Sequence, residues 1–252
     1  MNPQLLIAQA PYSVDSADFD GTNDYMLRGG GLTGASDSKS GILSVWVRLD
    51  AGTGTQRLIG SSVSVGTAAD RWLSSRISAS GPFLVAGRNA AGTLILQIVS
   101  DTSYAAAATW LHLLVSWDLA AAAAHLYVND VADIAAGPTL TDDTLDYTVG
   151  DWGIGGDSNA GSKLDGCLAE LYFAPGQFLD FSTLANRRKF IDAYGRPVYL
   201  GATGQAPTGT APLVYQRLFK SQPVDEFDTN SGTGGAFTIT GTLTVGSTSP
   251  SD

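Results

Sequence analysis

Apolar and polar positions alternate with a period of two over short runs bounded by Gly, Asn, Asp or Pro, the pattern of strands with one face on a core. Leu43, Val45, Val47 and Leu49 alternate with Ser44, Trp46 and Arg48. Phe83 to Gly87 and Leu94 to Val99 flank Arg88-Asn89-Ala90-Ala91-Gly92-Thr93 and read as a hairpin. Trp110 to Trp117 and His125 to Val128 form a second pair across Asp118 to Ala124. The alanines of that connection are too few to hold a helix alone, so it reads as a tight turn or a strand start. Leu213 to Phe219 and Ala236 to Val245 are two more strand candidates, after a stretch over 201–212 rich in Gly, Pro, Thr and Ala.

One helix is signalled. Asp180 or Ser182 can cap it, Leu184, Arg187, Arg188 and Ile191 share a stripe, and Gly195 and Pro197 stop it, which predicts a helix over 182–194. The strands do not otherwise alternate with helices, so the expected fold is all-β: a two-sheet antiparallel jelly-roll sandwich with one short helix after the core. Residues 1–16 read as an N-terminal arm and 17–200 as the sandwich. Residues 201–252 read as a linker with closing strands or an appended hairpin, and a tail.

Composition sharpens this picture. Of the 24 acidic residues 22 are Asp and only Glu170 and Glu226 are Glu, while Lys occurs four times, and Gly thirty times. Asp and Gly favour turns, whereas Glu and Lys favour exposed helix faces, so the bias is that of a β protein. A net charge of −10 argues against nucleic acid as a partner. Cys167 is the one cysteine, which excludes an intrachain disulfide and a Cys-x-x-Cys zinc site. The apolar stretch Leu5 to Ala8 has no basic residue before it and is short for a secretory leader, and no run is long enough to span a bilayer. Synthesis in a cytoplasm, without membrane insertion, is the expectation. Sparse charge and a mean hydropathy of +0.07 favour a surface covered in an oligomer.

Several segments, in this order, resemble the concanavalin A-like (laminin G-like) jelly-roll superfamily. They are Phe19-Asp20-Gly21-Thr22-Asn23-Asp24-Tyr25, Ser44 to Arg48, Trp110 to Asp118 with Leu126 to Asp130, Ile154-Gly155-Gly156, and Leu164 to Tyr172. Asp130 stands where the family often carries the Gly of an Asn-Gly turn. More loosely, the stretch Phe227 to Thr238 with Gly241 to Thr244 resembles the end of laminin G-like proteins of tailed-bacteriophage virions. That resemblance implies a structural or adhesive part of a phage particle, made in the bacterial host cytoplasm. Its partners would be other virion proteins, further copies of itself and a host-surface glycan.

Glucan-hydrolysing members of the superfamily carry two Glu and an Asp at alternate positions of one strand, which the two distant Glu here cannot supply. The expected function is therefore non-enzymatic: a capsid-decorating or tail-fibre component, with a free lectin module, Ca²⁺-dependent or not, as the alternative and a glycoside hydrolase third. The loop from Asp151 to Gly161 is the best candidate site. Hard oxygen donors on a Gly-rich loop suit Ca²⁺, and an adjacent Trp could stack on a sugar. Trp152, Asp157, Asn159 and Glu170 are the candidate ligand contacts, and Asp151, Asp157 and Asp165 the candidate metal ligands. Ordinary turn chemistry explains the same Asp and Gly residues, and it also covers Asp15, Asp18, Asp20 and Asp24. For Glu170 the competing reading is a buried acid held by a hydrogen bond or an Arg. His112 and His125, the two histidines, fall on neighbouring strands without a catalytic or metal-binding spacing.

Overall fold

The structure, a computed structural model, describes residues 12–52, 54–62, 70–157 and 161–252. Two antiparallel eight-stranded sheets pack face to face. The strands in chain order are β1 (Ala17–Asp20), β2 (Tyr25–Arg28), β3 (Ser40–Leu49), β4 (Gln56–Ser62), β5 (Asp70–Arg76), β6 (Pro82–Arg88), β7 (Leu94–Ser103) and β8 (Trp110–Asp118), followed by β9 (Ala123–Val128), β10 (Val131–Ala132), β11 (Thr139–Leu140), β12 (Asp151–Ile154), β13 (Asp165–Pro175), β14 (Val214–Gln216), β15 (Thr238–Thr240) and β16 (Thr244–Val245). The first sheet runs β10-β9-β8-β3-β13-β1-β16, with β14 also on β13; the second runs β11-β7-β6-β5-β4-β12-β2-β15. Among the described residues no helix is long and apolar enough to cross a membrane.

The alternating pattern places Leu43, Val45, Val47 and Leu49 of β3 in the main core, facing Ile59, Trp72, Phe83 and Val85 of the second sheet. The opposite face of β3 is not solvated as a half-buried strand would be, because every residue from Gly41 to Leu49 is buried. Phe181, Phe190 and Leu200, from the segment after β13, pack on Ile42, Leu114 and Tyr172. Beside them Ile191 and Val14 pack on Trp46 and Ala169. Period two reports which side a residue faces; it does not report that a later segment will cover the second side.

The helix predicted over 182–194 is a single turn, Leu184–Arg187, with no buried residue. Phe190 and Ile191 are adjacent yet enter two different clusters, which a continued helix could not arrange on one stripe. Asp192 then accepts the backbone N–H of Tyr194 and Arg196 and turns the chain at Gly195. Tertiary burial thus overrides local propensity here.

The last forty residues join both sheets: β14 pairs with β13, β16 with β1 and β15 with β2. The ends read as arms are packed where they are described. Val14 is buried and bridges Phe219, and Arg48 donates to Ser247 and Thr248. Ser249 and Pro250 are buried as well.

At Gly166, φ is +149° and a Cβ would stand 2.0 Å from the Arg48 carbonyl oxygen on the neighbouring strand. Neither the dihedral nor the space admits a side chain. Gly166→Ala is therefore expected to cost about 2–4 kcal/mol, read as a lowered denaturation midpoint in urea. An unchanged midpoint would show that β13 can move away from β3.

Candidate functional site

The motif Phe19 to Tyr25 forms the end of β1 and its turn. Asp20 Oδ1 accepts the N–H of Thr22, Asn23 and Asp24, and Asp24 accepts those of Asp20 and Thr242. These two acids build the turn and join it to the C-terminal part of the chain. Gly21, at φ +68°, lies under the Asp165 side chain, where its own Cβ would be 2.7 Å from that of Asp165. The turn and the start of β13 therefore meet, Asp20 opposite Asp165 in register.

Around this meeting point lies a cleft of about 480 Å³, lined by Asp20, Gly52, Gln56, Ser162, Lys163 and Asp165 among others. Burial raises the Asp165 carboxyl above its usual range, and the charges of Asp50, Asp18 and Asp20 push it the same way. Gln56 is 1% exposed. Its Nε2 donates to the Ala51 carbonyl, which also accepts from Arg76, while its Oε1 has no partner. Reversing the amide would set oxygen against oxygen, so the orphaned group is the acceptor. Gly52, at φ +98°, is required here because a Cβ would overlap the Gln56 amide.

Behind the cleft Asp18, Asp50 and Cys167 bring ligand atoms within 4.8 Å of one another, alone in doing so as a group of three or more His, Cys, Asp or Glu among the described residues. Their donors are engaged. Arg48 holds Asp50 with two hydrogen bonds of 2.7 and 2.6 Å, and the thiol donates to Asp18 at 3.4 Å. Burial and the Asp18 charge push the thiol up to about 12.

Two sequence expectations are corrected by this geometry. Asp151, Asp157 and Asp165 do not form one metal site. Asp151 begins β12 opposite Ser62, Asp157 closes its own loop by accepting the Gly161 N–H, and Asp165 begins β13 opposite Asp20. Trp152 is fully buried against Trp72 and Phe173, with no face for a sugar. Asn159 lies outside the described residues.

Glu170 is likewise enclosed, 2% exposed. It falls at a bulge where the partner of β13 changes from β1 to β14, with φ at +48°. Its carboxylate accepts the hydroxyls of Tyr12 and Tyr215 at 2.8 and 2.7 Å. It fastens three segments rather than meeting a ligand. His112 is buried too, stacked on Trp46, with Nε2 2.8 Å from Ser44 Oγ. This Ser-His contact is closed to substrate because both residues are buried. His125 pairs with Asp180 at 3.2 Å on another part of the surface.

A second cleft, of about 450 Å³, opens where Trp46, Trp110, Asn129, Asp130, Arg188 and Asp192 approach the C-terminal residues. Sequence reasoning missed it because its lining comes from five separated stretches that share no motif.

Residues 20–176 match the concanavalin A-like lectin/glucanases superfamily. The chain belongs to this superfamily. Among solved structures, a candidate carbohydrate-binding protein from Bacteroides ovatus is 12% identical, with TM-score 0.62 over 93% of this chain and 60% of that one. The heptameric SAP-like pentraxin from Limulus polyphemus is 11% identical, with TM-score 0.54 over 93% and 95%. This member of the superfamily thus spans less than two thirds of the Bacteroides protein. No curated protein sequence matches it. At these identities the likeness shows the sandwich and its order of strands. The walls of the second cleft formed by residues 188–195 and 249–252 lie outside the stretch matched to the superfamily.

Proposed function

We propose that the chain is a non-catalytic carbohydrate-binding module that holds a calcium ion in the acidic end cleft. The observation that carries this reading is that Asp20, Asp165 and Gln56 line one glycine-backed cleft in which neighbouring acids crowd Asp165. Hard oxygen donors of mixed carboxylate and amide type fit Ca²⁺. A cation there would relieve the crowding of acids around Asp165. Asp165, Asp20 and Gln56 would hold the ion, and a bound calcium supplies positive charge and open positions for a sugar's neighbouring hydroxyls. Gly52 and Gly21 allow close backbone approach at the cleft, and Lys163, also on its lining, lies over the Tyr25 ring at 5.1 Å.

Support also comes from the fold, shared with a candidate carbohydrate-binding protein. Catalysis finds no support in the acids, since Glu170 is enclosed and Glu226 lies on a short 3₁₀ turn, Val224–Asp228, far along the chain. The placement in a bacteriophage particle, as a decoration or fibre component among other copies, rests on the resemblance of residues 227–244 alone. Mass spectrometry of purified particles decides it.

Titration calorimetry is expected to give a calcium affinity of about 10⁻⁴–10⁻³ M, as for extracellular sites with few charged ligands. Asp165→Asn should weaken it at least tenfold. On a glycan array, some signals should require calcium and be missing from Asp165→Asn. Absence of calcium binding, or an array pattern unchanged by chelator, overturns the reading, and release of reducing sugar from a polysaccharide would restore the hydrolase.

A further inference from the structure

We propose that the cleft between Trp110 and the C-terminal residues is a second, calcium-independent site for a neutral saccharide. It shares no lining residue with the acidic end cleft, so it stands or falls apart from the calcium reading.

The cleft is built from the inside outward. Trp46 and His112 pair across β3 and β8 and stack with ring centroids 4.5 Å apart, which makes a rigid aromatic floor. Trp110 is half-buried, and its Nε1 donates to Thr248 Oγ1 at 3.2 Å, which fixes the indole while leaving part of its surface in the cleft. On one wall, Asn129 and Asp130 form the two-residue turn between β9 and β10, both at positive φ. Glycine would occupy the second place without strain. Aspartate there puts a carboxylate at the cleft, and Arg187 and Arg188 hold it at 2.5 and 2.7 Å. Asn129 Oδ1 accepts the His112 N–H, so the amide is oriented as well.

The remaining acids are also committed. Asp192 accepts two backbone N–H groups, and Asp252 accepts from Lys220 and from the Ser249 N–H. This decides the ligand class. Asp130 and Asp252 are ion-paired and Asp192 is hydrogen-bonded to backbone N–H groups, so each carboxylate of the cleft is already engaged. What remains is a fixed set of lone pairs and N–H groups around a half-exposed indole. That combination suits alternating hydroxyls on one side of a sugar ring and C–H groups on the other. The volume lies within the range of small-ligand sites and admits one or two hexose units. The polar groups are positioned by their own partners before any ligand arrives, the condition for affinity without ordering cost.

The test is saturation-transfer NMR and intrinsic tryptophan fluorescence on the full chain in EDTA, with cellobiose, maltose, lactose and chitobiose, and with tetramethylammonium chloride as the cationic alternative. At least one disaccharide should bind and perturb tryptophan emission, with affinity reduced at least tenfold in Trp110→Ala. Because that change also removes the bond to Thr248, Ala193→Phe is the second variant. Ala193 is exposed and lines the cleft, so a ring there is expected to occlude it. Loss of binding in both variants, with an unchanged denaturation midpoint in Ala193→Phe, supports the proposal. No disaccharide binding in EDTA, binding unaffected by Ala193→Phe, or tetramethylammonium binding in place of sugar overturns it. Loss of calcium binding in Asp165→Asn leaves these results unaltered.

Discussion

Truncation of Trp72 to alanine is expected to cost about 3–5 kcal/mol, seen as a large drop in the guanidinium denaturation midpoint. Trp72 is fully buried at the centre of the interface between the sheets. Its ring lies 4.2 Å from Phe173, 5.8 Å from Trp117 and 6.3 Å from Trp152, centroid to centroid. Phe173 and Trp117 come from the first sheet and Trp152 from the second, so one indole links both layers. Removing it leaves a cavity bounded by rigid rings that cannot collapse inward. The Trp72 Nε1 has no hydrogen-bond partner, however, and an unmet buried donor costs about 1–3 kcal/mol. Trp72→Phe deletes that donor while retaining most of the ring, and its cost should be less than half that of the alanine variant. Equal losses in the two variants would mean that ring volume is not what Trp72 contributes.

How much of this was legible in the chain depends on the distance over which each feature is determined. The strand segments Leu43 to Leu49, Phe83 to Gly87, Leu94 to Val99 and Trp110 to Trp117 all fall within observed strands, because alternation is a local property. The alanine-rich connection is a turn over 119–122 with β9 beginning at Ala123, and Asp118 caps it by accepting two backbone N–H groups. The one short helix lies within the stripe that signals it, but it stops after a single turn because Phe190 and Ile191 serve different clusters. The acidic cleft is hidden in the sequence for a similar reason. Asp165 lies in the acidic cleft, but its companions Asp20 and Gln56 arrive from β1 and β4, and nothing in their spacing announces the meeting. Trp152 sits beside acids and glycines in sequence, yet a strand turns successive side chains to opposite faces, so the neighbour of a surface acid is a core residue.

The pH dependence of stability should show two buried groups working in opposite directions. His112 is neutral in the fold, and burial lowers it from its ordinary value to about 3. An unfolded chain takes up this proton below about pH 6.5, where the folded chain refuses it, so stability falls as the medium is acidified from there to pH 3. The full excursion is about 5 kcal/mol. Glu170 behaves conversely: burial raises it to about 7, against the opposing pull of the hydroxyls of Tyr215 and Tyr12 and the Arg217 charge. The unfolded chain releases this proton near pH 4.5, whereas the folded chain keeps it until about 7, so stability falls as pH rises across that interval, by about 3 kcal/mol. Between pH 4.5 and 6.5 the two slopes oppose, and the intact protein should show a plateau from this pair. Glu170→Gln removes the alkaline-side decline and leaves stability climbing with pH to about 6.5. His112→Gln, which can still meet Ser44, removes the acid-side decline and leaves stability decreasing from pH 4.5 to 7. The lowered carboxyls of Asp20, Asp130 and Asp252 act alike in all three proteins and cancel in the differences. Urea denaturation at half-unit steps from pH 4 to 8 measures the three curves. Parallel curves would show that neither buried group keeps its unusual protonation state, and Glu170 would then hold its tyrosines as an ordinary ionised acid.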